Sequence, residues 1–490
     1  MNVLAIDQGT SATKALVVGP DQEILGQAEV PVATVAVDGD GVEADPEELW
    51  RSVAEAGARA LASASGGARV GAVALANQGE TVLAWDRGTG QPLSRAIVWQ
   101  DRRSTEICRR LSGRADELTE ISGLPLDPYF AAPKMTWLRE NVTGAGVVTT
   151  TDTWLLHRLG AEYVTDAATA SRTMLLDLDA VQWSDQACSA FGVDAAALPR
   201  VADCDAVVGE TAVFGGRSVP VAGIAVDQQA ALFGQGCLRV GDAKCTYGTG
   251  AFLLVNTGAR AARSSAGLSA SVAWSLSGRR AYCLDGQVYT AGSALRWLVE
   301  IGVLADPADL DRVASMVPSS AGVVFVPALA GLGAPVWAPG ARGQLSGLQL
   351  SSRAGHIVRA VAEGIAASVA LLARAAAADL GGPLTSLRVD GGLTRSRVLM
   401  QAQADLLQVP VLASRSHDAT ALGVAALARL AVGGAGAGAG LAPGGAAGAD
   451  RVVEPEISAD QAAERLAEYS SALESVLGST PTPTLASTVR

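Results

Sequence analysis

The sequence predicts an α/β protein built as two similar domains with a cleft between them. Three observations carry that expectation. A hairpin tipped with Gly and Thr stands early in each half, apolar strands alternate with alanine-rich helices, and 490 residues exceed what one hydrophobic core usually serves. A hydrophobic share of 49% with 18% charged residues fits globular domains with large cores. The first domain is placed at residues 1–236 and the second at 237–478. Within the second, a Gly/Ala-rich stretch at 433–450 reads as a flexible loop and 479–490 as a disordered tail.

The first hairpin comes from MNVLAIDQGTSATKALVVGP. An apolar run from Val3 to Ile6 meets Asp7-Gln8-Gly9-Thr10-Ser11, and a second apolar run starts at Ala15. The pattern is strand, tight turn, strand, not a strand feeding a helix. Glycine lets a backbone approach phosphate closely, and Thr10 and Ser11 offer hydroxyl and amide donors to it. Lys14 adds positive charge nearby, and Asp7 suits a Mg²⁺ ion held through water. An ordinary hairpin turn explains one such motif equally well. The motif recurs, however, at Lys244-Cys245-Thr246-Tyr247-Gly248-Thr249-Gly250, followed by the apolar run Ala251 to Leu254. Two such tips, one per half, suit a nucleotide held from both sides. Neither has the spacing of a P-loop or of a dinucleotide-binding fingerprint.

The segment GIAVDQQAALFGQG places Asp227 between an apolar strand and a small-residue helix. A carboxylate at a strand end facing a cleft suits removal of a proton from a substrate hydroxyl. A helix-capping Asp is the alternative reading of the same position. Helices are predicted over Pro46 to Ala62 and Ala354 to Leu380, and Ser458 to Leu477 has helical apolar spacing.

Net charge is −12 and no long Lys/Arg run occurs, which argues against nucleic acid or an anionic membrane as partner. Six cysteines are scattered without a CxxC pair, as expected of reduced cytosolic thiols. The amino terminus lacks the pattern of a signal peptide, and no uninterrupted apolar run reads as a membrane span. A cytoplasmic protein is expected. The histidines at 157, 356 and 417 match no catalytic motif.

These motifs together resemble the FGGY carbohydrate kinases of the actin-like ATPase superfamily, and among them the glycerol kinases. The resemblance runs from Asp7 to about Val452. It is carried by AIDQGTSATK, IVWQDRRS, DPYFAAPKMTW, TDAATASRTMLLD, VDQQAALFGQ, YGTGAFLL, VPALAGLGAPVWAPGARGQLSGL, VDGGLTRSRVLMQAQADLLQVPV and ATALGVAALA. It implies two ribonuclease H-like domains, ATP and Mg²⁺ as cofactors, a small polyol or sugar as substrate, and often a homodimer or homotetramer. Carried over by motif, Glu80, Trp99, Tyr129, Asp227, Gln228 and Phe252 hold the polyol. Thr10, Ser11, Lys14, Gly248 and Thr249 meet the phosphates, while Gly292, Gly391 and Gly392 let the adenosine approach the backbone. Asp7 and Asp227 serve the metal, and Asp227 is the general base.

One position departs from the pattern. The arginine that the resemblance implies before Glu80 is Gly79, which removes directed donors and leaves space. The expected activity is phosphorylation of a terminal hydroxyl of glycerol or a close relative. A longer polyol or ketopentose, such as erythritol, a pentitol or xylulose, is the alternative, although the Met-His-Gly of xylulose kinases is absent here. Outside the kinases stand an acceptor-free chaperone or filament ATPase and a non-catalytic sugar-binding regulator.

Overall fold

A computed structural model describes residues 1–38, 40–215, 217–414, 418–433 and 451–479. His417, residues 434–450 of the expected loop and residues 480–490 of the expected tail lie outside the described residues.

The run VLAIDQ forms β1 (Val3–Gln8), and its turn leads into β2 (Ala12–Val18). The two pair antiparallel, and Gly9 N–H donates to the Ala12 carbonyl at 3.0 Å, so the predicted hairpin is present. With β3 (Ile24–Pro31), β4 (Ala72–Asn77), β5 (Val207–Thr211) and β6 (Val219–Val226) they make a sheet in the order β5-β6-β4-β1-β2-β3. Strands β1, β4 and β6 run parallel. Such strands are covered on both faces, which is why they read as continuous apolar runs. Helix α1 (Pro46–Ser63) begins at Asp45, whose side chain accepts from Glu47 N–H at 2.9 Å, with Pro46 in the first turn. Its Leu49, Val53, Ala56 and Ala60 share one buried face, packed on β2 and β3. Helix α2 (Ala131–Asn141) and the short α3 (Ala167–Ser171) follow in the same half.

The second half repeats the plan. Strand β6 runs into α4 (Asp227–Gly234), then β7 (Ala243–Tyr247) and β8 (Ala251–Gly258) form the second hairpin. Adding β9 (Ser269–Leu276), β10 (Arg279–Val288), β11 (Leu387–Asp390), β12 (Val411–Ala413) and β13 (Arg451–Val453) gives the order β9-β10-β8-β7-β11-β12-β13. The hairpin strand, its two antiparallel neighbours and its two parallel ones stand as β10-β8-β7-β11-β12 here and as β3-β2-β1-β4-β6 in the first sheet. The duplication expected from the two tips is therefore a duplicated sheet.

Among the helices of this half are α5 (Gly292–Glu300), α6 (Ala354–Leu380), α7 (Ala419–Gly433) and α8 (Ala459–Ser479). Helix α6 has the predicted bounds. By length and hydropathy it is the one candidate membrane span among the described residues, but two thirds of its apolar window is buried in the protein, as in a core helix. Helix α7 ends at Gly433 and α8 at Ser479, so the first residue of the expected loop and the first of the expected tail are helical. Helix α7 packs against β1, β4, β6 and α4, crossing back to the first sheet. Its Arg429 donates to the carbonyls of Val18 and Gly19. Gly223 makes that packing possible: its φ is +77°, and a Cβ there would stand 2.4 Å from Ala428 N.

Candidate active site

Both hairpin tips and the start of α4 open onto one cavity of about 310 Å³. Thr10 and Ser11 line it from the first tip, Gly248 and Thr249 from the second. Glu80, Trp99, Tyr129, Asp227, Gln228 and Phe252 line the same cavity, although they come from five separate stretches of chain. Lys14, Asp7, Gly292, Gly391 and Gly392 are not in its wall. Lys14 pairs with Asp418 just before α7. Gly292 N–H donates to Gly248 O at 3.0 Å, and a Cβ at Gly292 would lie 2.6 Å from that oxygen. Gly391 has φ +93°, and Tyr247 O would lie 2.4 Å from its Cβ, so β7 itself demands glycine there. Gly392 faces open space.

Asp227 is the first residue of α4, whose N-cap is Val226 with no side-chain cap bond. The capping alternative therefore does not describe it. One carboxylate oxygen accepts from the Gln228 backbone N–H at 2.7 Å. Burial and the nearby Glu80 push its pKa up to about 6, against the pull of Lys244 and the Gln228 hydrogen bonds. The Lys244 ammonium donates to Gln228 Oε1 at 2.5 Å and to Thr246 Oγ1 at 2.9 Å, which fixes the amide beside Asp227.

Glu80 sits after the end of β4 with φ +57°, a left-handed conformation costly for a non-glycine residue. It is only 4% exposed, so it is no solvent-facing carboxylate. Its partner is Arg172 at the end of α3, whose Nε donates to Glu80 Oε1 at 2.6 Å while Nη1 binds Asp285 of β10. Arg172 thus brings a guanidinium to this cavity, while position 79 supplies none. Trp99 stands edge-on to Tyr129 at 5.9 Å and to Phe252 at 5.8 Å, forming an aromatic corner. The Trp99 indole N–H donates to Thr10 Oγ1 at 2.9 Å, tying that corner to the first tip. Behind Tyr129, the buried Lys134 ammonium of α2 donates to the carbonyls of Pro128 at 3.0 Å, Tyr129, and Phe130 at 2.7 Å. Burial pulls its pKa down to about 7.

Asp7 lies beside this wall. Burial, then Asp227, Asp418 and Asp390, push its carboxyl up to about 8, with Lys14 opposing. Converging carboxylates that resist ionising together are a donor set that a hard divalent cation relieves. Among the described residues no three His, Cys, Asp or Glu side chains converge closely enough to ligate one ion directly. That arrangement fits a Mg²⁺ ion keeping most of its waters.

Arg172, Asp285, Gln287, Lys244 and Lys134 were not singled out by sequence reasoning. Their signal was faint: lone charged or amide side chains inside small or apolar runs (ASRTML, CLDGQV, AKCTY, AAPKM) that fold as buried elements.

Duplicated hairpin-tipped sheets facing a cavity with a poised carboxylate define the actin-like ATPase fold in its kinase form. The chain belongs to the FGGY family of carbohydrate kinases, matching the family's N-terminal domain over residues 2–234 and its C-terminal domain over 243–432. It is 43% identical to the glycerol kinase of Myxococcus xanthus, over 96% of this chain and 98% of that one. Plasmodium falciparum glycerol kinase, solved with ADP, superposes with a TM-score of 0.88 at 30% identity, covering 97% of this chain and 98% of the other. A xylulose kinase from Lactobacillus acidophilus, covering 98% and 99% of the two chains, shares the fold with a TM-score of 0.86 at 22% identity. The protein is an ATP-dependent sugar or polyol kinase.

Proposed function

We propose that this protein transfers the γ-phosphoryl group of ATP to a terminal hydroxyl of glycerol or a closely related small polyol, with Asp227 as general base. The observation that carries the reading is Asp227 itself: a carboxylate tuned to about 6, lining the cavity onto which both hairpin tips open. The glycerol kinases among its relatives support the substrate class.

In this reading the acceptor hydroxyl gives its proton to an Asp227 oxygen as its own oxygen bonds to the γ-phosphorus. The bond from that phosphorus to the bridging oxygen breaks, and ADP leaves. Thr10, Ser11, Lys14, Gly248 and Thr249 orient the phosphates, and their amides and hydroxyls stabilise charge on the transferring group. Gly292, Gly391 and Gly392 leave room for the adenosine, the first two while also meeting the close backbone approach of Gly248 and Tyr247. Asp7 and Asp227 would hold Mg²⁺ through its waters, and the ion supplies charge neutralisation on the β- and γ-phosphate oxygens. Glu80 and Gln228 take hydroxyls of the acceptor, while Trp99, Tyr129 and Phe252 cover its C–H edges. Closure of the two halves excludes water and limits hydrolysis. Six buried, unpaired thiols support a cytoplasmic setting, and a net charge of −12 argues against nucleic-acid partners.

Asp227→Asn tests the base directly. ADP binding, followed by calorimetry, is retained, while kcat falls by about 10²–10⁴. Turnover within about tenfold of the parent removes Asp227 from that role.

A further inference from the structure

Part of the cavity wall is polar but has no task in the phosphoryl-transfer step. Arg172 uses Nε on Glu80 and Nη1 on Asp285, two of the guanidinium's five N–H donors, and it lines the cavity. Its guanidinium is 5.2 Å from the Phe130 ring and 5.8 Å from the Tyr129 ring, which hold its plane. Beside it, Gln287 of β10 is 2% exposed and donates through Nε2 to Asp285 Oδ1 at 2.8 Å. An ionised carboxylate only accepts, so that bond fixes which way round the amide stands. It leaves Gln287 Oε1 buried and without a partner.

A buried carbonyl oxygen left unpaired is costly and calls for a donor. The group that fills it must also accept from Arg172. A hydroxyl does both; an apolar, cationic or purely anionic group does not. Gly79, in the same wall, puts no side chain into this space: a Cβ there would meet only Val226 Cγ2, at 3.0 Å. In the reading above, Asp227, Glu80 and Gln228 take the three hydroxyls of a three-carbon polyol.

We propose that Gln287 and Arg172 form a distal hydroxyl-binding subsite, so that the preferred acceptor is an acyclic polyol with at least one hydroxyl more than glycerol, a tetritol or pentitol. This rests on the polyol-kinase reading above. Gln287 and Arg172 are specificity residues here: they read the far end of the acceptor while Asp227 acts on the near end.

The test measures kcat/KM for glycerol, erythritol, threitol, ribitol, xylitol and arabinitol with the parent enzyme and with Gln287→Met. Sites built around hydroxyl hydrogen bonds discriminate strongly, so one longer polyol exceeds glycerol by about tenfold or more in the parent. In Gln287→Met that ratio falls by about tenfold, chiefly through KM. Glycerol matching or exceeding every longer polyol overturns the subsite and leaves the kinase reading intact. A preference for longer polyols that survives Gln287→Met overturns the assignment to Gln287. Absence of phosphorylation of every polyol, with ADP still bound, overturns the reading on which the inference rests. If Gln287→Met fails to fold, as judged by melting and ADP binding, the parent's acceptor series decides alone.

Discussion

Replacing Arg172 with methionine removes the cation that two buried carboxylates share. Glu80 and Asp285 both have side chains only 5% exposed, and each binds a different nitrogen of the guanidinium. Breaking one buried pair by removing one partner costs about 3–5 kcal/mol, because the other charge is left uncompensated. The loss must depend on pH. Asp285 already stands at about 6, raised by burial and held down by Arg172, so removing Arg172 pushes it higher still. A carboxyl whose folded pKa lies above its unfolded value binds its proton more tightly when folded. Its contribution is complete below the unfolded pKa and disappears as pH rises through the folded one. In Arg172→Met the Asp285 carboxyl enters the fold neutral in mild acid and charged in mild base. Urea unfolding of the parent, Arg172→Met and Arg172→Met/Asp285→Asn at about pH 5.5 and about pH 8 reads this out. The single variant loses most at the higher pH, and the added Asn recovers part of that loss. A loss under about 1 kcal/mol at both pH values would refute the shared-cation account.

Two further outcomes follow from the carboxylates of the cavity. With Asp227 at about 6, kcat/KM rises about tenfold per pH unit below that value and levels off above it; a profile flat down to about pH 5 contradicts the base assignment. With Asp7 pushed up to about 8, the metal-free site carries a proton there at neutral pH. Binding of Mg–ADP then releases up to about one proton more than binding of ADP alone, measured by calorimetry in buffers of different ionisation enthalpy. Equal release in both cases removes Asp7 from the metal's surroundings.

The duplicated architecture was legible because each half begins with the same hairpin. A polar Gly/Thr tip between apolar runs admits few alternatives, and both tips formed as read. Asp227 was legible for a similar reason, as a lone acid where an apolar strand meets a small-residue helix. The partnership of Arg172 with Glu80 was not. The two residues are 92 positions apart and meet only because α3 ends next to the turn after β4. Gly79 supplies no guanidinium, and nothing near it in sequence shows that Arg172 reaches the same cavity. The return of α7 to the first sheet was hidden likewise. Its residues are apolar or small on nearly every side, so composition gives its burial but not the sheet it covers. Gly391 carried a backbone demand from Tyr247, which no local pattern distinguishes from a nucleotide's close approach.

Acceptor-dependent phosphoryl transfer tests the central claim most directly. ADP formation from Mg–ATP is followed with glycerol and with longer polyols, beside a control without acceptor, and the product is identified by phosphorus and carbon NMR. The account predicts ADP formed one for one with a terminal phosphomonoester of the polyol, and little ADP in the control. ADP produced at the same rate without any acceptor, with no phosphomonoester, would contradict it.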